Sequence, residues 1–375
     1  MEKPETETTP RTLLELGWTA AWEEAFAPWA AQGYQPARVV TQYGLYQIAT
    51  GAAEFLAEVS GRFRHEAASS LAFPAVGDWV AVRVPQGAKS LQGEARARIH
   101  GVLPRRSQFA RKAAGLRTEP QVVAANVDTV FLVSALDGDF SPRRIERYLT
   151  AGFESGAQPV LVLNKTDCCD DLAARLVEVG EVAIGVPVHP VCAVSGDGIE
   201  ALAAYLGAGA TVSLIGSSGV GKSTLVNRLL GRAAQRTAAV READDRGRHT
   251  TTHREMFLAA SGALIIDTPG MRELAVWDGE VSLAETFADL EGLAASCQFR
   301  DCRHQSEPGC AVRAAIAGGT LAIERLESYQ KLQREQTALH ARQDQLARLQ
   351  DKRRAPGGRG RGQGRGKGQG KGQRT

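Results

Sequence analysis

The run Gly216-Ser217-Ser218-Gly219-Val220-Gly221-Lys222-Ser223-Thr224 fits the pattern G-x-x-x-x-G-K-[ST]. Glycines at these positions let successive backbone N–H groups turn inward and cradle phosphate at a helix N-terminus, where the helix dipole also favours negative charge. Lys222 would reach the β- and γ-phosphates of a nucleotide, and the Ser223 hydroxyl would ligate Mg²⁺. Such a loop needs a strand before it and a helix after it. Thr211–Ile215 is short and β-rich, and Thr224–Leu230 has helical periodicity.

A second loop names the base. Asn164-Lys165-Thr166-Asp167 follows the apolar run Pro159–Leu163 and fits the Asn-Lys-x-Asp motif that reads guanine. The Asp167 carboxylate can accept from guanine N1–H and the 2-amino group, which adenine lacks. Asn164 secures the loop and the purine edge, and the Lys165 stem covers the ring face. Cys192-Ala193, after Val186–Val191, would offer a backbone N–H to guanine O6. Asp267, which ends the strand-like run from Ala263, fits the acid that holds Mg²⁺ through water, with Gly270 facing the γ-phosphate. Between these motifs lies His249-Thr250-Thr251-Thr252, either a switch supplying a hydroxyl to Mg²⁺, for which Thr251 is favoured, or an ordinary β-edge. A small GTPase ordinarily runs from the phosphate loop to the guanine loops. Here the guanine loops come first, so the domain reads as circularly permuted, which a sheet with neighbouring termini tolerates.

Cys297-x₄-Cys302-x-His304-x₅-Cys310 gathers three thiols and an imidazole within a short stretch. That set suits one closed, tetrahedral, structural Zn²⁺ site; the alternative is buried cysteines beside a surface histidine. Six cysteines in 375 residues make no disulfide scaffold, which points to a reducing compartment. No apolar run is long enough to span a membrane, and the acidic start (Glu2, Glu5, Glu7) argues against a signal peptide. A cytoplasmic protein with no membrane partner is expected. Net charge is only +3, yet Lys352 to Thr375 contains nine Lys/Arg and no acid, so the remainder is net acidic and the basic arm suits a polyanionic partner.

The elements that must position these loops divide the chain. Residues 1–36 are an N-terminal extension whose amphipathic piece, Leu13–Ala31, should dock through Trp18, Trp22 and Trp29. Residues 37–104 hold five short β segments, as in a small OB-like barrel. There Tyr43, Tyr46, Phe63, Arg62 and Arg64 either form a nucleic-acid face or, for the aromatics, fill the core. Residues 105–120 read as a basic linker, either simply solvated or in contact with phosphate, and 121–278 alternate strand and helix as a parallel α/β domain does. Residues 279–350 hold the cysteine cluster and a docked helix over Leu321–Leu349, and 351–375 form a basic Gly/Arg tail too polar to build a core. The fold class is therefore multidomain, β plus α/β plus a small zinc-binding helical module.

Together, the OB-like barrel, the permuted motif order, Gly-Arg-His-Thr-Thr-Thr at 247–252 and Cys-x₄-Cys-x-His-x-x-Glu-Pro-Gly-Cys at 297–310 resemble one family, over about residues 37–350. It is the circularly permuted, ribosome small-subunit-dependent GTPase A (RsgA) family of bacteria. The resemblance implies a protein that binds the maturing 30S subunit through 16S rRNA, hydrolyses GTP to GDP when that subunit stimulates it, and assists late small-subunit assembly; a monomer is expected. It also implies Mg²⁺ with GTP. After Asp-Thr-Pro-Gly stands Met271, where many GTPases place a water-orienting glutamine. A thioether cannot orient water, and His249 is the substitute; the resemblance points to the same residue. His249 either acts on the water or merely caps the switch. With it, Lys222 and Thr251 complete the expected catalytic set. The alternatives are an RNA-binding scaffold that holds GTP structurally, or a permuted GTPase acting on the large subunit.

Overall fold

The computed structural model describes residues 11–86, 91, 95–112, 120–138, 140–231, 254–267 and 280–354. Helix α1 (Ala20–Ala30) precedes strands β1 (Gln35–Tyr43), β2 (Leu45–Ala49) and β3 (Glu54–Val59), a short helix α2 (Gly61–Glu66), and strands β4 (Trp79–Arg83) and β5 (Ala97–Val102). β1 pairs antiparallel with β2 and β4, β2 with β3, and β4 with β5, while β3 and β5 run parallel. This circuit closes a five-stranded barrel of OB type. Alternation along β3 sends Phe55, Ala57 and Val59 inward, where they meet Val39, Ile48 and Ile99.

The N-terminal piece docks as its tryptophans predict, but the helix starts only at Ala20, because Thr19 is extended and Leu13–Gly17 form a turn. Trp18 and Trp22 are buried, and the Trp18 ring meets Trp79 of β4 edge-on at 4.6 Å. Beneath them Arg38 is buried and donates to the Leu16, Gly77 and Asn126 carbonyls and to Thr211 Oγ1. One guanidinium thus ties the N-terminal segment, the barrel and the α/β sheet together. Burial lowers its pKa to about 10, against the pull of Asp128 and Asp78.

Described parts of the stretch expected to be a basic linker lie in strands. β6 (Gln108–Lys112) pairs antiparallel with β7 (Pro120–Ala125). Arg105 is no solvated phosphate contact. Its Nε and Nη2 reach the fully buried Asp78 carboxylate at 2.8 and 2.7 Å, and it also donates to the Leu71 and Phe73 carbonyls. Burial pushes the Asp78 carboxyl up, and Arg105 opposes that shift. Arg106 lies over the Trp22 ring at 4.3 Å. The side chains of Arg111, Lys112 and Arg117 lie outside the described residues.

The α/β part follows as β8 (Thr129–Ala135), α3 (Pro142–Glu154), β9 (Gln158–Asn164), α4 (Leu172–Gly180), β10 (Val188–Pro190), β11 (Thr211–Ile215), α5 (Lys222–Leu230), β12 (Arg254–Leu258) and β13 (Leu264–Asp267). β10 is shorter than Val186–Val191, although the Pro187 carbonyl and the Val191 N–H still bond Leu161 and Leu163 of β9. Spatial order is β10-β9-β8-β11-β13-β12, parallel except for β12. All of β8 is buried, as expected of a parallel strand covered on both faces. β11, late in the chain, lies mid-sheet, which is the spatial meaning of the permuted motif order. The sheet does not stop at β12: Thr41 and Gln42 of β1 pair with Glu255 and Arg254, so barrel and α/β sheet form one 11-stranded surface.

Four helices close the described chain: α6 (Glu280–Thr286), α7 (Ala288–Ala294), α8 (Ala311–Ala317) and α9 (Ile323–Arg354). α9 docks as a single helix by burying Leu326 and Leu332 against Leu283, Phe287 and Leu290. Arg325 anchors it, donating to Glu146 of α3 and to Asp289 of α7. The side chains of Leu339 and Leu346 lie outside the described residues. Among those residues no helix is long and apolar enough to cross a membrane.

Candidate functional site: a nucleotide cleft and a metal cluster

Because β8 to β11 and β13 are parallel, their C-terminal ends share one edge, where α/β sheets bind ligands. On that edge the structure brings together Asn164 after β9, Cys192-Ala193 after β10, the Gly216–Thr224 loop after β11 and Asp267 ending β13. Asp267 is half-buried.

Two glycines are dictated by close approach. A Cβ on Gly216 would stand 2.3 Å from the Val133 carbonyl oxygen. One on Gly221, whose φ is +90°, would stand 2.2 Å from Asn164 Nδ2. Asn164 passes there because it is a clasp: Nδ2 donates to the Val220 carbonyl at 2.8 Å, and Oδ1 accepts from Ala193 N–H at 3.0 Å. The three loops expected to hold phosphate and base are thereby joined by one buried side chain. The Ala193 N–H, expected to face guanine O6, donates in this structure to Asn164. Lys222 Nζ donates to the Gly216 and Ser217 carbonyls, closing the loop on itself. α5 starts at Lys222 with Gly221 as its cap, so its first N–H groups, including those of Ser223 and Thr224, open toward the loop. Val220 is buried, whereas Ser218 and Gly219 are exposed at the loop tip.

Lys165 sits in the left-handed region (φ +65°), a conformation that L side chains rarely adopt. Its Nζ bonds Asp137 Oδ2 at 2.7 Å, which fixes the stem whose face would cover a base. Thr166 opens the 3₁₀ turn Thr166–Cys168. The exposed Asp167 carboxylate accepts from the Cys192 thiol at 3.1 Å. That bond, with Asp167's own backbone N–H, holds its carboxyl below the usual range, ionised and ready to accept. Arg228 of α5 donates to the Ala193 and Val194 carbonyls and pins the Cys192-Ala193 loop. Sequence reading missed Asp137, Cys192's thiol and Arg228. Only Asp137 had a local signal, its place just beyond the C-terminal end of a buried strand.

His249, Thr251, Gly270 and Met271 lie outside the described residues. On the barrel, Tyr43 is 53% exposed, whereas Tyr46 and Phe63 pack against the barrel core and the Phe63 ring meets Phe73 at 5.9 Å. Arg62 pairs with Glu66. Of the aromatics expected there, Tyr43 is the exposed one.

The second cluster lies between α7 and α8. Donor atoms of Cys297, Cys302, His304 and Cys310 all lie within 4.8 Å of one another. Cys297 Sγ is 3.6 Å from His304 Nδ1 and 3.9 Å from Cys310 Sγ, and His304 Nδ1 is 3.4 Å from Cys310 Sγ. A tetrahedral ion with bonds of about 2.3 Å to sulfur and 2.0 Å to nitrogen needs S···S and S···N edges of about 3.8 and 3.5 Å, so the set could hold a metal. Burial and hydrogen bonds with Cys310 and Cys297 push the Cys302 thiol up to about 11. Burial also raises Cys297, but the Val312 and Ala311 amides outweigh it and its net shift is downward. Glu307 staples the loop by accepting from the amides of Arg303, Gln305 and Ser306, and its carboxyl falls to about 2.

The RsgA GTPase family model matches residues 102–277. A protein of Opitutus terrae named small ribosomal subunit biogenesis GTPase RsgA is 51% identical over 347 residues, covering 91% of this chain and 95% of its own. One of the same name from Syntrophotalea carbinolica is 46% identical, covering 89% and 92%. Among solved structures, YjeQ from Thermotoga maritima superposes with a TM-score of 0.57 at 26% identity, covering 80% of this chain and 97% of that one. YloQ, described as a circularly permuted GTPase, gives 0.56 at 23% identity, a likeness of fold alone. This chain belongs to the RsgA GTPase family.

Proposed function

We propose that this protein hydrolyses GTP to GDP and phosphate in small ribosomal subunit biogenesis, binding the 30S subunit and its 16S rRNA in the cytoplasm as a monomer. The observation that carries the reading is the Asn164 clasp, which holds a guanine-type loop and a phosphate loop on one strand edge. Asp167 accepts from the base, the Lys165 stem covers it, and the Gly216–Thr224 amides with Lys222 take the phosphates. Ser223, Thr251 and, through water, Asp267 would hold Mg²⁺, which supplies positive charge to the phosphate oxygens. Cys297, Cys302, His304 and Cys310 would hold one structural Zn²⁺, whose donor distances suit it. Gly270 faces the γ-phosphate, and His249 orients the attacking water that Met271 cannot. The barrel, with Tyr43 exposed, and the basic tail make the rRNA contacts.

Single-turnover GTP hydrolysis with saturating 30S subunits tests this reading. His249→Ala should keep GTP affinity near wild type and slow turnover on the order of 10²-fold, as loss of a positioned acid–base group does. A variant hydrolysing at the wild-type rate moves the catalytic role elsewhere.

A further inference from the structure

We infer that Tyr148 is a positioning residue of the phosphate loop, and that helix α3 makes the grip on nucleotide answer to the C-terminal module. Tyr148 projects from α3, is buried, and sets its hydroxyl 3.0 Å from Ser217 Oγ. Ser217 also offers one of the two carbonyls that receive Lys222, and its neighbour Gly216 lies against the Val133 carbonyl. The first turn of the loop is therefore fixed from β8, from Lys222 and from α3. The Tyr148 contact connects the loop to α3, which in turn touches the C-terminal module.

The same helix is latched at its other side. Glu146, two residues before Tyr148, is 2% exposed and accepts from Arg325 at 2.7 Å. Among the described residues its second oxygen, Oε2, is buried without a hydrogen-bond partner, and Arg325 is the cation that pairs with this carboxylate. Arg325 also grips Asp289 and the Thr286 carbonyl, and Arg147 of α3 pairs with Glu335 of α9. A buried charge cannot part from its paired cation without strong penalty, and close-packed elements shift together rather than deform. Displacement of α9 and the metal cluster would thus be carried by α3 to the Tyr148–Ser217 bond.

The inference rests on the guanine-nucleotide reading, and the test separates the two. Release of fluorescent GDP is followed by stopped flow in wild type, Tyr148→Phe, Ser217→Ala and the double variant. Each single change should speed release roughly three- to tenfold, the scale of one neutral hydrogen bond, with the melting temperature of Tyr148→Phe near wild type. The double variant should be no faster than the faster single one, because both remove the same bond. Glu146→Gln should speed release in the wild-type background and not in the Tyr148→Phe background. Wild-type protein that fails to hold GDP sinks the guanine reading and this inference with it. GDP held normally, with Tyr148→Phe releasing at the wild-type rate or the two changes multiplying, overturns this inference alone. Equal acceleration by Glu146→Gln in both backgrounds overturns the link through α3.

Discussion

Replacing Asn164 with alanine removes a side chain with two ends. Its amide donates to the Val220 carbonyl at 2.8 Å and its oxygen accepts from Ala193 N–H at 3.0 Å. Removing one partner of a neutral hydrogen bond costs about 1 kcal/mol net, rising to about 2 kcal/mol for each end whose orphaned N–H or C=O water reaches poorly. Asn164 is 2% exposed, so water reaches the gap poorly. The total is about 2–4 kcal/mol. The flanking loops keep other ties, Lys165 to Asp137 and Arg228 to the Ala193 and Val194 carbonyls. The fold should therefore survive, and most of the loss should fall on nucleotide binding, which needs both loops in register. Titration of labelled GDP should show the Kd rising roughly 30- to 1,000-fold, while the melting temperature moves by only a few degrees. A Kd within threefold of wild type would refute the clasp as the joint between the two loops.

Arg105→Met should destabilise the protein by about 3–5 kcal/mol in denaturant unfolding, because it strands the Asp78 carboxylate at 0% exposure. Arg105→Met with Asp78→Asn should recover part of that loss, and a single variant as stable as wild type would contradict the ion pair's role. Cys302→Ser should abolish the bound metal in elemental analysis and loosen residues 297–310, while the GDP Kd stays within a few-fold of wild type. Wild-type protein carrying no zinc near one per chain would remove the metal assignment.

The phosphate loop, the guanine loop and the cysteine cluster were legible in the sequence because each is local: its chemistry needs residue types at fixed short spacing, and spacing survives without a fold. The barrel was legible from five short β segments with turns between them. What was not legible is what depends on residues far apart in the chain. Arg325 meets Glu146 across 179 residues and Arg38 meets Thr211 across 173, and neither arginine differs in its local sequence from a solvated one. Arg105 lay in a basic run and read as a phosphate contact; only the fold shows Asp78 beneath it. The pairing of β1 with β12 is invisible for the same reason, although it sets the strand that follows the His249–Thr252 motif in sequence against the barrel. Helix α1 was expected from Leu13, because its apolar spacing starts there, but the extended Thr19 delays it to Ala20.

Dependence of the GTPase on the small subunit is tested by multiple-turnover GTP hydrolysis of the wild-type protein alone, with purified 30S subunits, and with 50S subunits at equal concentration. Phosphate release should be slow from the protein alone, rise at least tenfold with 30S subunits, and not rise with 50S subunits. Hydrolysis unchanged by 30S subunits, or stimulated equally by 50S subunits, would contradict that dependence.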